Sequence, residues 1–110
     1  MINETQTPGI TITIAATEAL KQNFFVGADG KHSAAGKVPV GVCQLDMDAG
    51  QPAPVAINGV LLVVAGGPIA VGDDVTTGAN GTAVKDTGGN RFGLALTAAV
   101  KDELVKVVLK

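Results

Sequence analysis

The sequence contains no tryptophan and no tyrosine, and three phenylalanines are its only aromatic residues. Without Trp or Tyr it lacks the rings on which a sugar usually stacks, and its core has no large aromatic anchor. There is one cysteine, Cys43, and one histidine, His32. A single cysteine excludes an internal disulfide framework, and the two residues together are too few to build a zinc site from its favoured ligands. With Val40, Val42 and Leu45 nearby, Cys43 reads as a small buried hydrophobe. His32, between Lys31 and Ser33, reads as an exposed imidazole in a loop. Long apolar runs are missing too. The longest, Val60 to Ala65, falls far short of the roughly 20 residues needed to cross a bilayer. No basic segment precedes an apolar one at the N-terminus, so no export signal is expected. Eight basic side chains against ten acidic ones give a formal charge of −2. The basic residues are scattered singly, without the positive stripe that neutralises phosphates. Neither a nucleic acid nor a membrane is an expected partner.

Motifs that carry chemistry are equally scarce. Gly66-Gly67-Pro68 and Gly88-Gly89-Asn90 lack the lysine and hydroxyl of a phosphate loop and the spacing of a dinucleotide fingerprint, so they read as hairpin punctuation. Asp46-x-Asp48 and Asp73-Asp74 are acidic clusters. Neither starts the ligand series of a twelve-residue calcium loop, and both read as turn aspartates. Ser33 has no nucleophile elbow around it. No cofactor and no enzymatic activity are expected.

The residues that are present favour strands. Ile10-Thr11-Ile12-Thr13-Ile14 alternates without fault, which predicts a half-buried strand with Ile inward and Thr outward. Met1 to Gly9 before it is polar and reads as an extended arm. Ala15 to Gln22 could make a helical turn capped by Thr17, but is read as irregular because it aligns with the turn-like Pro68 to Asp73. Asn23 to Gly27 predicts a strand ending in the turn Asp29-Gly30. Val38 to Leu45 alternates around Pro39 and Gly41, and a proline that cannot donate to a ladder suggests an edge or a bulge. Asp46 to Pro54 reads as a polar loop with two prolines. Asn58-Gly59 is a hairpin signal between Val55-Ala56-Ile57 and Val60 to Val64. That second run is apolar on both faces, which marks the most buried strand or one covered by a partner subunit. Val75 to Val84 reads as two strands joined by a tight turn at Asn80-Gly81, whose residues tolerate positive φ. Arg91 to Leu96 follows, with Phe92, Leu94 and Leu96 on one face. The charged turn Lys101-Asp102-Glu103 leads into Val105 to Leu109.

The second half repeats the first. Gly27-Ala28-Asp29-Gly30 matches Gly78-Ala79-Asn80-Gly81 at an offset of 51, and Gly41-Val42 matches Gly93-Leu94 at 52. Val55-Ala56-Ile57 matches Val107-Val108-Leu109, again at 52. The expected fold is therefore all-β: a small β-sandwich or partly open barrel of short antiparallel strands, built from two copies of a β unit, with an extended N-terminal arm. Residues 1–14 form the arm and first strand, and residues 15–110 form one β domain whose repeat runs from about 20–57 to 71–109. At 110 residues the core is modest, and oligomerisation would supply further burial. Leu61 and Val63 are the expected subunit-interface residues.

Taken together, these segments resemble the tailed-phage head decoration proteins, or capsid cement proteins. The resemblance is carried by Ile69-Ala70-Val71-Gly72-Asp73-Asp74-Val75, the Gly78-Ala79-Asn80-Gly81 hairpin, Arg91-Phe92-Gly93-Leu94-Ala95-Leu96 and the strand Val105 to Leu109. It covers residues from about 20 onward. What it implies is a virion structural protein, made in the host cytoplasm, that binds the outer surface of an icosahedral capsid. Such a protein stabilises the lattice by bridging capsomers, commonly as a homotrimer, with the major capsid protein as partner. One mechanism has the arm, Thr5 to Ile14, adding as a strand to an exposed capsid sheet edge, with Thr5, Thr7, Ile10, Thr11 and Ile12 as the contact residues. The other reading is that Ile10 to Ile14 completes the protein's own sheet. A carbohydrate-adhesion module on a virion surface is the alternative function.

Overall fold

Asn80 and Gly81 both take positive φ, 57° and 76°, and the chain reverses there as the sequence leads one to expect. A computed structural model describes residues 6–87 and 93–109. The reversal joins β7 (Asp74–Thr77) to β8 (Ala83–Lys85) through a short 3-10 turn, Ala79–Gly81. The two strands pair antiparallel, Thr77 opposite Ala83. Gly81 is also needed for its small size: a Cβ there would meet the backbone carbonyl oxygen of Phe25 at 2.5 Å.

The remaining strands are β1 (Thr7–Pro8), β2 (Thr11–Ala15), β3 (Phe25–Val26), β4 (Gly41–Cys43), β5 (Pro52–Ala56), β6 (Gly59–Val64), β9 (Gly93–Ala95) and β10 (Leu104–Leu109). They form two antiparallel sheets, a six-stranded one in the order β1-β6-β10-β9-β7-β8 and a four-stranded one in the order β2-β5-β4-β3. The architecture is all-β and sandwich-like, and the described strands close no barrel. The stretch from Ala15 to Gln22 carries no helix.

Both sheets use one ladder plan. Ile14 pairs with Ala53 as Val63 pairs with Val105, and Val42 pairs with Ala56 as Leu94 pairs with Val108. The connections agree as well. Leu20 and Met47 exchange backbone hydrogen bonds, and so do Ile69 and Ala99. The Asp48 N–H donates to the Gln51 side chain, the Val100 N–H to the Glu103 side chain, each at 3.0 Å. Positive φ falls on Asn23 and Gly50 in one half and on Gly72 and Asp102 in the other.

The main core lies between the sheets. From the four-stranded sheet, Phe25, Val42 and Ala56 pack against Leu61, Val63, Val75, Val105 and Val107 of the six-stranded one. A second cluster, Ala16, Leu20, Val26, Cys43, Ala53 and Val55, sits on the opposite face of the four-stranded sheet, with Ile14, Val40 and Met47 packed against it.

Several expectations change. Pro52 and Pro54 lie inside β5 rather than in a loop. The Pro54 carbonyl accepts the Gln44 N–H at 3.0 Å, so only a donor is missing from the ladder. Pro39 precedes β4, and β4 is an interior strand between β5 and β3, not an edge. Asn58-Gly59 joins strands of different sheets instead of closing a hairpin. Gly59 has φ 102°, and this sharp bend carries the chain from one layer to the other. Ile10 and Ile12 are 56% and 38% exposed, not turned inward, because among the described residues no second layer covers the end of β2; of the three, only Ile14 packs on the second cluster. Arg91, Phe92 and the Gly88-Gly89-Asn90 break lie outside the described residues.

Candidate functional site

The arm is the element that distinguishes the two ends of the molecule. β1 pairs with β6, Thr7 opposite Val60 and Pro8 opposite Gly59. After Gly9 the chain changes sheets, and β2 pairs with β5 from Thr11–Ala56 to Ala15–Pro52. Asn58 holds this crossing: its backbone carbonyl accepts the Gly9 N–H at 3.0 Å and its side-chain oxygen accepts the Ile10 N–H at 2.7 Å. A Cβ on Gly9 would collide with that Asn58 side-chain oxygen. Gln6 completes the seam, its side-chain oxygen accepting the Leu62 N–H at 2.8 Å on the edge of β6. The sequence reading missed Gln6 and Asn58. The polarity of the arm and the Asn-Gly pair were the available signals.

Register then decides which backbone groups of β2 are spent. Ile57 donates to the Ile10 carbonyl and Ala16 donates to the Gln51 carbonyl, so even-numbered β2 residues bond to β5. Alternation turns the N–H and C=O of Thr11 and Thr13 to the opposite side. β2 is the terminal strand of its sheet. Its outer edge at Thr11 and Thr13 is thus a row of groups able to pair with another strand. The exposed Ile10 and Ile12 lie beside this edge.

Of the expected contact residues, Ile10, Thr11 and Ile12 come together here. Thr7 reaches the neighbouring sheet through its backbone pairing, and Thr5 lies outside the described residues. The expected interface pair, Leu61 and Val63, is 0% exposed in the core between the chain's own sheets. The half-buried Val60 and Val64 and the 5% exposed Leu62 alternate onto the other face of β6.

His32 is half-buried rather than exposed, because Phe24 and Glu18 enclose it. Its ring centroid is 5.3 Å from that of Phe24, Nε2 accepts the Lys21 N–H at 3.1 Å, and Nδ1 is 3.5 Å from Glu18. Burial pushes its pKa below the ordinary value, against the opposing pull of Glu18; Lys21 pushes the same way as burial. With Nε2 accepting this hydrogen bond, the site suits the neutral imidazole. Burial pushes the Cys43 thiol up, and its S–H donates to the Leu45 carbonyl at 2.9 Å. Asp73 closes a turn by accepting the Ala70 N–H at 2.9 Å, whereas Asp46 accepts the N–H of the distant Gln22 at 2.8 Å and ties two segments together. Among the described residues no three His, Cys, Asp or Glu side chains gather as a metal site would require.

The described residues line two surface hollows that bear on binding. One of about 520 Å³ is lined chiefly by Pro68, Ile69, Ala99 and Val100, with Asp73 and Lys85 at its rim. The other, about 410 Å³, includes Asp29, Lys31, His32 and Ser33. Neither lining includes an aromatic ring other than the His32 imidazole.

No curated protein matches the sequence. Among solved structures, the head fiber gp8.5 N base of bacteriophage phi29 is similar, with a TM-score of 0.78 and 29% identity over 92% of this chain and 93% of that one. The phage cement protein family matches residues 4–109, and this chain belongs to that family of capsid-associated virion structural proteins.

Proposed function

We propose that this protein binds the outer surface of an icosahedral phage capsid as a homotrimer and bridges neighbouring capsomers of the major capsid protein. Its role is structural rather than enzymatic. The observation that carries this reading is the outer edge of β2 at Thr11 and Thr13, unpaired among the described strands and flanked by exposed Ile10 and Ile12. A capsid strand added there would gain backbone hydrogen bonds without a dedicated pocket. Thr5 and Thr7, at the start of the arm, are proposed as further contact residues. The alternation that frees this edge also keeps the even-numbered residues of β2 on β5, so the arm acts as a template and not as a donated strand. The division into an arm, residues 1–14, and one β domain, residues 15–110, belongs to this reading; the matching ladders support its internal repeat and draw β2 into the first copy.

Binding to the assembled lattice alone shifts the assembly equilibrium toward intact heads by mass action. Many modest contacts per shell then suffice. The carbohydrate alternative draws no support from either hollow, since neither offers a sugar-stacking ring. The test is a thermal rupture assay on heads lacking this protein, with and without the purified chain. Rupture at a higher temperature with the chain present is expected; an unchanged rupture temperature at saturating protein would sink the bridging role.

A further inference from the structure

The shared ladder plan also matches side chains that lie beside the ladders. Phe25 pairs with Val42 and Val26 with Gly41, as Asp74 pairs with Leu94 and Val75 with Gly93. The residue before each pair, Phe24 in one half and Asp73 in the other, therefore has the same place. His32 stands opposite Val26, and Lys85 stands opposite Val75. The Phe24 and His32 rings, 5.3 Å apart, thus correspond to the Asp73 and Lys85 pair, whose charged atoms are 4.0 Å apart. Met47, which exchanges backbone hydrogen bonds with Leu20, corresponds to Ala99, which exchanges them with Ile69.

Where the first half places an aromatic ring and a methionine side chain, the second places a carboxylate and a methyl group. The hollow of about 520 Å³ lies there, lined by the buried Ile69 and Ala99 and the exposed Val100. Its size, apolar floor and few polar groups are those of a site that takes a ligand. We propose that it receives an aromatic side chain of a partner protein, set beside Asp73 where the first half has the Phe24 ring, with a Lys or Arg next to it in the partner's chain. Two features of the lining select this occupant. The exposed Lys85 brings an ammonium group to the hollow, and an ammonium attracts the face of a ring. Against that one cation the lining carries two carboxylates, Asp73 and Glu103, so a second cation complements it. The hollow belongs to the connections after β6 and after β9, at the Val64 end of β6, about 17 Å along that strand from Gly59, where the arm crosses between sheets. It is thus a separate surface from the Thr11 and Thr13 edge assigned to the capsid, and it goes beyond that reading.

Titrating the nitrogen-15-labelled full chain with the blocked dipeptide acetyl-Phe-Lys-amide tests it by NMR. Saturable shifts of the Ile69, Ala99 and Val100 amides are expected, with a dissociation constant of about 1 mM. Acetyl-Leu-Lys-amide, which lacks the ring, and acetyl-Phe-Glu-amide, which reverses the charge, should each bind about threefold more weakly or worse. Ala99→Met, which puts into the second half the side chain that Met47 supplies in the first, should abolish the shifts. Lys85→Ala, at an exposed site, should keep the melting temperature and weaken binding about threefold. No saturable shift at about 20 mM dipeptide overturns the site. Equal affinity for the leucine dipeptide, or undiminished binding to a folded Ala99→Met chain, overturns the aromatic socket. None of these outcomes bears on capsid binding through β2, which the rupture assay tests separately.

Discussion

The side-chain oxygen of Asn58 accepts the backbone N–H of Ile10 at 2.7 Å, fastening the arm at the point where it passes from one sheet to the other. Asn58→Ala removes that acceptor while the backbone bond from Gly9 to Asn58 remains. A loss of about 1 kcal/mol in unfolding free energy is expected, with faster amide exchange at Ile10. Denaturant unfolding and hydrogen exchange check it. Unchanged exchange at Ile10 would mean that the bond does not hold the crossing.

Leu61 is completely buried between the sheets. Leu61→Ala should cost about 2–5 kcal/mol of stability through lost contacts and the cavity left behind. The loss is expected at any protein concentration, because the cavity lies within one chain. A stability deficit that vanishes on dilution would place Leu61 at a subunit contact after all.

Thr77 is 1% exposed, and its hydroxyl has no hydrogen-bond partner among the described residues. Thr77→Val replaces the hydroxyl by a methyl of similar size. Removing an unpaired buried polar group is expected to leave stability unchanged or raise it by about 1 kcal/mol. A clear fall in melting temperature would reveal a bond that the hydroxyl makes.

His32 makes stability depend on pH. Its folded pKa lies below the ordinary value of 6.5 because burial disfavours the imidazolium. The unfolded chain therefore binds the proton more readily, and stability rises with pH wherever that is so. The contribution is fully present above the unfolded pKa and is lost as pH falls through it, levelling off below the folded value. Comparing melting temperatures of wild type and His32→Gln between pH 7.5 and about pH 5 should show a steeper fall in the wild type. Parallel curves would contradict the neutral, buried ring.

How much of this was legible in the sequence depends on how local each cause is. The β7–β8 turn was readable because Asn80 and Gly81 carry the positive φ themselves. The strand character of Thr11 to Ile14 was readable from alternation, but its inward face was not, since burial of Ile12 depends on a covering layer that the chain places elsewhere. Pro52 and Pro54 looked like loop residues because sequence does not show which side of a strand lacks a donor. Leu61 and Val63 were singled out for apolarity, yet apolarity alone does not distinguish a core between two sheets from a contact between two chains. His32 needed Phe24 and Glu18 beside it, and Glu18 comes from a separate loop.

The central claim is that this surface adheres to a phage head, and imaging tests it most directly. Purified protein is mixed with heads that lack it, and the particles are reconstructed by electron cryomicroscopy. The account requires added density on the outer shell, with β2 at the contact, and loss of that density when Thr11 and Thr13 are replaced by proline. Bare heads at saturating protein, or density attached through a face remote from β2, would contradict it.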